Sequence, residues 1–183
     1  MRARLVLLSA AVSFATIALS PGQARAYERQ WHAGASLGYA LTNAYDTTAH
    51  GIGGGLHLTY GLTDAFNAML EANVSLHPGY DLVVAGAALG PGYVIDILQW
   101  VPYFGVLVGG YEVWSRDPAC GTPDQPPCHA AHLGIGVPVG LDYQITRSLA
   151  VGAQLRYTVM LFGASSPVSY ANAFARVEYV WGF

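Results

Sequence analysis

Tyr170-Ala-Asn-Ala-Phe-Ala-Arg-Val-Glu-Tyr-Val-Trp-Gly-Phe183 is the last stretch of the sequence, and its alternation decides the fold. Alternate residues of a β-strand point to opposite faces, so one face is apolar and the other carries Arg176 and Glu178. The apolar face consists of Ala171, Ala173, Ala175, Val177, Tyr179, Trp181 and Phe183. An uncharged aromatic strand end is favourable at a membrane interface, where Trp, Tyr and Phe rings lie at head-group depth. The stretch therefore predicts a transmembrane β-strand.

The start of the chain predicts the compartment. Basic residues within 2–4, an apolar run over 5–19 and the small-residue site at 24–26 are typical of a secretory signal peptide. The apolar run is shorter than the ~20 residues that a spanning helix needs. We expect Sec-type export with removal of residues 1–26, which leaves 27–183 as the mature domain.

Composition narrows the class of protein further. The chain has 22 glycines, 12% aromatic residues and only 10% charged residues, against about 25% charged residues in ordinary soluble domains. It contains no lysine, and the region after residue 26 has five arginines against 11 acidic residues. Because phosphate binding needs a basic surface, nucleic acid is an unsuitable partner. No apolar run after residue 26 is long enough for a membrane-spanning helix.

Alternating segments of strand length fill the rest of the chain. Six of them place apolar residues on one parity and polar or small residues on the other, the pattern of a transmembrane barrel. The fourth and fifth segments are apolar on both parities, so their facing is not assigned. The eight segments are about 30–42, 51–63, 66–76, 82–95, 101–114, 133–145, 149–161 and 170–183. We predict an all-β fold, an eight-stranded antiparallel up-and-down transmembrane β-barrel with short periplasmic turns and longer outer loops. The alternative is a soluble barrel of lipocalin type, which would need an apolar interior.

The same register places the aromatic residues in two girdles. The predicted periplasmic girdle contains Trp31, Tyr60, Phe66, Tyr143, Trp181 and Phe183. The predicted outer girdle contains Tyr39, Tyr157, either Tyr111 or Trp114, and Phe162. Outer-membrane barrels carry such belts at both interfaces.

The stretch Gly140-Leu-Asp-Tyr-Gln-Ile-Thr-Arg-Ser-Leu-Ala-Val-Gly-Ala-Gln-Leu-Arg-Tyr157 resembles a strand–turn–strand unit of the OmpA-like family of small outer-membrane barrels. Together with the terminal Phe183, this resemblance covers the whole of residues 27–183 in architecture. Because the sequence stops at the barrel, we expect the chain to be closer to the stand-alone, OmpX-type members. The motif match is confined to roughly residues 140–183. The resemblance implies the outer membrane of a Gram-negative bacterium, outer-membrane lipid as surroundings, and a barrel-insertion machinery that reads the ending Tyr179, Trp181 and Phe183.

Charged residues on the inward parity are the first candidate site. An eight-stranded barrel is just wide enough for side chains to fill it, and a buried charge needs a partner. The predicted interior polar network consists of Glu71, Asp142, Arg156, Arg176 and Glu178. We expect a packed, ion-paired interior, with a narrow passive channel for small solutes as the alternative.

Two cysteines are the second candidate site. Cys120 and Cys128 lie in the longest predicted outer loop, 115–132, and an oxidising compartment favours a disulfide between them. The alternative is a Cys₂His₂ zinc site that adds His129 and His132. The loop is the predicted contact region for an extracellular ligand.

A lipid A-modifying enzyme is a further functional alternative. A lipid A-modifying enzyme needs a nucleophilic serine, a histidine and a carboxylate near the outer lipid boundary. Ser75 and His77 are predicted at the outer end of a strand, as are His50, Ser115 and Asp117. Since short-loop barrels offer such pairs by chance, we assign no catalytic, cofactor-binding or metal-binding residue. The sequence predicts a non-catalytic protein of envelope structure or surface interaction.

Overall fold

The computed structural model describes residues 27–44, 47–115, 120, 128–162 and 168–182. The predicted signal peptide and Phe183 lie outside these residues. The strands are β1 (Trp31–Ala44), β2 (Thr47–Gly61), β3 (Phe66–His77), β4 (Leu82–Val94), β5 (Trp100–Gly105), β6 (Leu107–Ser115), β7 (His129–Gln144), β8 (Leu149–Phe162) and β9 (Val168–Trp181). A 3₁₀ turn, Pro78–Tyr80, follows β3. Over the described ranges, no helix has the length and apolar character to cross a membrane.

The segments β5 and β6 together form one barrel strand. Their register with β4 is continuous, because Gly92 faces Gly105 in β5 and Leu89 faces Val108 in β6. Two prolines cause the interruption between them at Val106. Pro91 of β4 accepts a hydrogen bond from Val106 N (3.1 Å) but has no N–H to return one. Pro138 of β7 also lacks an N–H, and it lies between Val139, which pairs with β5, and Gly136, which pairs with β6. The predicted count of eight strands is therefore confirmed, with one strand broken in its middle.

The strands close into a ring. Each pairs antiparallel with its neighbours in sequence, and β9 returns to β1 from Trp31↔Trp181 to Asn43↔Ser169. Closure leaves no unpaired edge among the described strands. A strand structure needs this in lipid, because water is not there to satisfy backbone groups.

The two faces of the wall are inverted relative to a soluble barrel. Leu37 and Leu56 point outward and are 70% and 68% exposed, whereas Arg176 points inward and is 6% exposed. The faces of the fourth and fifth predicted segments are now defined: odd residues of β4 and even residues of β5 and β6 point outward. Apolar side chains meet the surroundings and the charged strand residues Glu71, Asp142, Arg156, Arg176 and Glu178 point into the interior, as in transmembrane barrels.

The connections depart from the expected alternation of lengths. We call the end that carries residues 27–30 and the connections 62–65, 95–99 and 145–148 the turn end, and the opposite end the loop end. At the loop end, β1 and β2 stay paired as far as Ala44↔Thr47, so the predicted loop 43–50 shrinks to residues 45–46. The Thr48 hydroxyl donates to Asn43 Oδ1 at 2.6 Å and supports this extension. By the bounds of the described strands, the connection between β6 and β7, residues 116–128, is longer than the others.

Candidate functional site

The barrel interior is divided between an apolar part and a polar part. Inward side chains from β4 to β6 are mostly apolar, and Val84, Leu107, Tyr111 and Val113 are each almost fully buried. The predicted polar, ion-paired interior is therefore confined to one part of the barrel. The difference comes from the strands whose faces the pattern could not assign.

Arg176 is the centre of the larger polar group, which we call the Arg176 cluster. Its Nη2 donates to Glu178 Oε1 at 2.7 Å, and its Nε lies 3.5 Å from Asp142 Oδ1. Its Nη1 donates to the Tyr103 hydroxyl, and the guanidinium carbon lies 4.8 Å from the centre of the Tyr103 ring. One cation thus joins β5, β7 and β9 across the interior.

Histidines and an N-terminal tyrosine extend this cluster to the turn end. His32 Nδ1 lies 3.2 Å from Glu178 Oε2 and 3.3 Å from the Tyr27 hydroxyl oxygen, and His57 Nε2 lies 3.9 Å from the same carboxylate oxygen. The Tyr27 ring stacks on His32 at 4.3 Å. Burial, followed by the nearby charge of Glu178, raises the pKa of Tyr27 well above its usual range, so the phenol stays neutral.

Backbone contacts hold Tyr27 in this position. Arg29 N donates to Gly61 O at 2.8 Å, and Gly61 N donates to Gln30 O at 2.9 Å. A side chain at Gly61 would collide with the backbone of Tyr27. The segment 27–30 therefore packs across the turn end of the barrel, against the end of β2.

Glu71 is the centre of a second group, which we call the Glu71 cluster. Arg156 Nη1 donates to Glu71 Oε2 at 2.8 Å, and Gln154 Nε2 donates to Glu71 Oε1 at 2.7 Å. Both carboxylate oxygens of this buried side chain are thus bonded, across the barrel from β3 to β8. A buried carboxylate with both oxygens satisfied is stable where an isolated one would not be.

The two clusters bring together the five predicted network residues, in two pairings. Arg176 contacts Asp142 and Glu178, and Arg156 contacts Glu71. All five side chains are buried. Within the described ranges no group of three or more His, Cys, Asp or Glu residues is placed to hold a metal ion. The arrangement joins β3 to β8, and β5, β7 and β9 to one another, through paired charges in the polar part of the interior.

Aromatic residues occupy both ends of the outward face. At the turn end, Trp31 packs on Tyr60 (4.6 Å) and stacks with Trp181 (6.3 Å), which in turn stacks with Tyr179 (5.9 Å). The same end also carries outward Phe66, Tyr93, Trp100, Phe104 and Tyr143. At the loop end Tyr39, Tyr157 and Trp114 point outward. Of the two alternatives for the outer girdle, Trp114 takes the outward position and Tyr111 points inward.

The cysteines form a disulfide. Cys120 and Cys128 are bonded, and the bond lies against the end of β6, where Ser115 N donates to Cys128 O at 2.9 Å. His129 faces outward beside Glu112, whereas His132 is buried and faces inward. The disulfide consumes two of the four ligands of the zinc alternative, and the two histidines lie on opposite faces of β7.

Ser75 and His77, the serine and histidine of the enzymatic alternative, both point into the barrel. Ser75 is fully buried and its hydroxyl donates to Val84 O at 3.5 Å, and His77 is 1% exposed. His50 faces outward, where it hydrogen-bonds Tyr39. Asp117 lies outside the described residues. Ser75 and His77 are therefore not presented on the outward face of the wall.

Sequence reasoning missed Tyr27 and Tyr103 as members of the Arg176 cluster. Tyr103 lies in β5, whose two parities are both apolar. The signal that could have placed it is the spacing of Trp100, Phe104 and Trp114, which are all even-numbered and fit an outward girdle. Tyr27 precedes the first strand, and the sequence shows no sign that it folds inward.

A closed ring with an apolar outside and an ion-paired inside defines the chain as a small transmembrane β-barrel of the outer-membrane type. No family model matches the chain, and no curated protein matches it. Several solved structures are similar to the chain. Neisserial surface protein A is similar at 16% identity and a TM-score of 0.68, with 84% of this chain and 97% of that chain covered. The N-terminal β-barrel domain of Pseudomonas aeruginosa OprF is similar at 13% identity and a TM-score of 0.59, with 84% and 98% covered. Ail of Yersinia pestis is similar at 11% identity and a TM-score of 0.54, with 84% and 99% covered. At such identities the likeness concerns the fold alone.

Proposed function

We propose that the chain is a non-catalytic integral outer-membrane protein that acts in envelope structure or surface interaction through its loop end. The observation that carries the proposal is the filled interior. Three carboxylates and two guanidinium groups are paired inside it, and Tyr27 packs over its turn end. Because paired charges occupy this part of the interior, we place recognition at the loop end.

Export and insertion belong to the same proposal. Residues 1–26 direct Sec-type export and are removed, and residues 27–183 insert as the barrel domain of a Gram-negative outer membrane. The outward Tyr179 and Trp181, with Phe183 after them, serve as the ending that the insertion machinery reads. The support is the alternation of β9 and its apolar aromatic end, which also contacts Trp31 across the closing seam of the ring.

The connection between β6 and β7 is the proposed contact region for an extracellular ligand. The disulfide at Cys120 and Cys128 closes a ring whose ends are 8 positions apart in sequence, and a ring of this size restricts the unfolded loop by about 2–3 kcal/mol in the chain-entropy model. A restrained loop loses less entropy on binding than a free one.

The first prediction concerns conductance. In planar bilayers of known area, the purified protein should give no resolved single-channel steps, because paired charges and Tyr27 occupy the interior. The control is a large open barrel reconstituted by the same procedure. Steady, reproducible steps from the unaltered protein would reject the sealed interior in favour of the passive channel.

The second prediction concerns the disulfide and its side of the membrane. Unreduced protein should bind no thiol reagent, since both cysteines are oxidised. On intact cells, a membrane-impermeant reductant followed by an impermeant maleimide should label both cysteines. The variant Cys120→Ser/Cys128→Ser is the blank. Two reactive thiols before reduction would contradict the disulfide, and labelling only after cell lysis would contradict the proposed orientation.

A further inference from the structure

The Arg176 cluster contains one guanidinium group and two carboxyl groups. Arg176 lies 2.7 Å from Glu178 and 3.5 Å from Asp142, and all three side chains are buried. If both carboxyl groups were ionised, the interior would hold a negative charge without a partner, which is strongly unfavourable. One additional proton would balance the charge of the cluster.

The two carboxyl groups are held in different ways. Glu178 accepts a hydrogen bond from Arg176 Nη2 at 2.7 Å, and His32 Nδ1 lies 3.2 Å from its other oxygen. Asp142 Oδ1 lies 3.5 Å from Arg176 Nε, which is beyond the usual N–H···O distance. Within the described ranges, neither of these two atoms has a hydrogen-bond partner. The short, charge-assisted contacts of a carboxylate are therefore at Glu178, whereas the contacts of Asp142 fit a neutral group.

The Asp142 and Glu178 side chains also hydrogen-bond to each other. A carboxylate oxygen accepts hydrogen bonds but cannot donate one, so a bond between two carboxyl groups needs a proton on one of them. Because Glu178 has the closer contact with the guanidinium group, Asp142 is the donor of this bond.

His32 and His57 are the neighbouring histidines that could hold the additional proton instead. His57 Nε2 lies 3.9 Å from Glu178 Oε2, too far for a hydrogen bond. Among the described residues, the buried Nε2 of each ring has no hydrogen-bond partner. An imidazolium donates from both ring nitrogens, so it would leave a buried N–H unsatisfied, whereas a neutral ring can carry its one N–H on Nδ1. The geometry therefore favours the carboxyl pair over the histidines.

Other ionisable side chains face the cluster from further elements. In the described part of the chain these are Tyr27 before β1, Tyr103 of β5 and Glu71 of β3. A phenol is neutral at neutral pH, since its usual pKa is about 10. Glu71 is already paired with Arg156 at 2.8 Å. These groups leave the net charge of the cluster unchanged.

We propose that Asp142 is a neutral carboxylic acid at neutral pH and donates a hydrogen bond to the Glu178 carboxylate, which makes the interior a pH-sensitive element of the fold. In the unfolded chain an aspartate has a pKa of about 4, so unfolding at neutral pH releases this proton. Because the folded state binds one proton more, the free energy of unfolding falls as pH rises, until the folded cluster releases the proton as well. The unfolding equilibrium constant should rise by up to about tenfold per pH unit in this range.

Infrared spectroscopy of the folded protein, in a detergent without ester groups, tests the protonation state directly. At neutral pH we expect the C=O stretching band of a protonated carboxyl group, and we expect it to shift in deuterated water. The band should disappear in Asp142→Asn. It should remain in Glu112→Gln, the matched control, which removes a half-exposed carboxylate on the outward face. Absence of the band from the parent protein, or its persistence in Asp142→Asn, would overturn the proposal.

Urea unfolding identifies which of the two carboxyl groups is neutral. Asparagine has the shape of a neutral aspartic acid and can donate the same hydrogen bond, so Asp142→Asn should keep the midpoint of the parent at neutral pH. Glu178→Gln removes the anion that faces Arg176 and should lower the midpoint. From about pH 7 to about pH 9, above the usual histidine range, the midpoint should fall in the parent and stay nearly level in Asp142→Asn. A larger loss in Asp142→Asn than in Glu178→Gln, or equal pH slopes in Asp142→Asn and the parent, would contradict the assignment.

Discussion

Replacing Arg176 with leucine is expected to lower the free energy of unfolding by about 3–5 kcal/mol, because it leaves two buried carboxylates without their cation. Arg176 donates to Glu178 and lies 3.5 Å from Asp142, and the substitution also removes the contact with Tyr103. The measurement is the urea midpoint for loss of the fast-migrating folded band in detergent, at matched protein concentration. The midpoint should fall more than the conductance changes.

The matched control is Arg147→Leu. Arg147 is exposed in the connection between β7 and β8, so its loss should change stability by less than about 0.5 kcal/mol. Adding Asp142→Asn and Glu178→Gln to Arg176→Leu should recover part of the lost stability, because the orphaned charges are removed with their partner. An Arg176→Leu midpoint equal to that of the parent, or a large conductance change with unchanged stability, would contradict the packed-core account.

Replacing Gly34 with valine is expected to prevent formation of the folded band. Gly34 lies in β1 between His57 of β2 and Glu178 of β9. A Cβ there would lie 2.6 Å from the His57 ring and closer still to the backbone oxygen of Val177. The ring can shift but the β9 backbone cannot move without loss of pairing, so the substitution should destabilise by more than about 3 kcal/mol.

The control for this prediction is Ala35→Val on the same strand. Ala35 points outward and is exposed, and valine is favoured in strands, so this variant should fold like the parent. If Gly34→Val also folds with an unchanged urea midpoint, then β1 and β9 are not packed as closely as the closing seam requires. Band shift before and after boiling gives the readout for both variants.

The outward alternation was sufficient to predict the class of fold. In β3 and β8 every second residue is apolar, and the predicted faces are those in the structure. The alternation did not assign the faces of residues 82–94 and 100–115, because apolar side chains point both outward and into the interior there. There the interior contains Val84, Leu107 and Tyr111 in place of polar residues. The broken strand was not predicted, because a proline's effect on its neighbour depends on the register.

The candidate site was predictable by residue type but not by partner. The sequence places Arg156, Arg176 and three carboxylates on inward positions, since their parity is set by the outward residues beside them. Which carboxylate each arginine meets depends on the stagger of strands around the ring. That stagger brings Glu71 of β3 to Arg156 of β8. The inward position of Tyr27 depends on backbone hydrogen bonds between residues 29–30 and Gly61. The alternation of side-chain types cannot predict such backbone contacts.

The central claim is that residues 27–183 form a closed barrel in the outer membrane. The most direct measurement separates inner and outer membranes of the producing cell by density and runs each fraction, unboiled and boiled, on a detergent gel. We predict that the protein is found in the outer-membrane fraction and migrates faster unboiled than boiled. A single unchanged band, or recovery in the soluble periplasmic or inner-membrane fraction, would contradict the account.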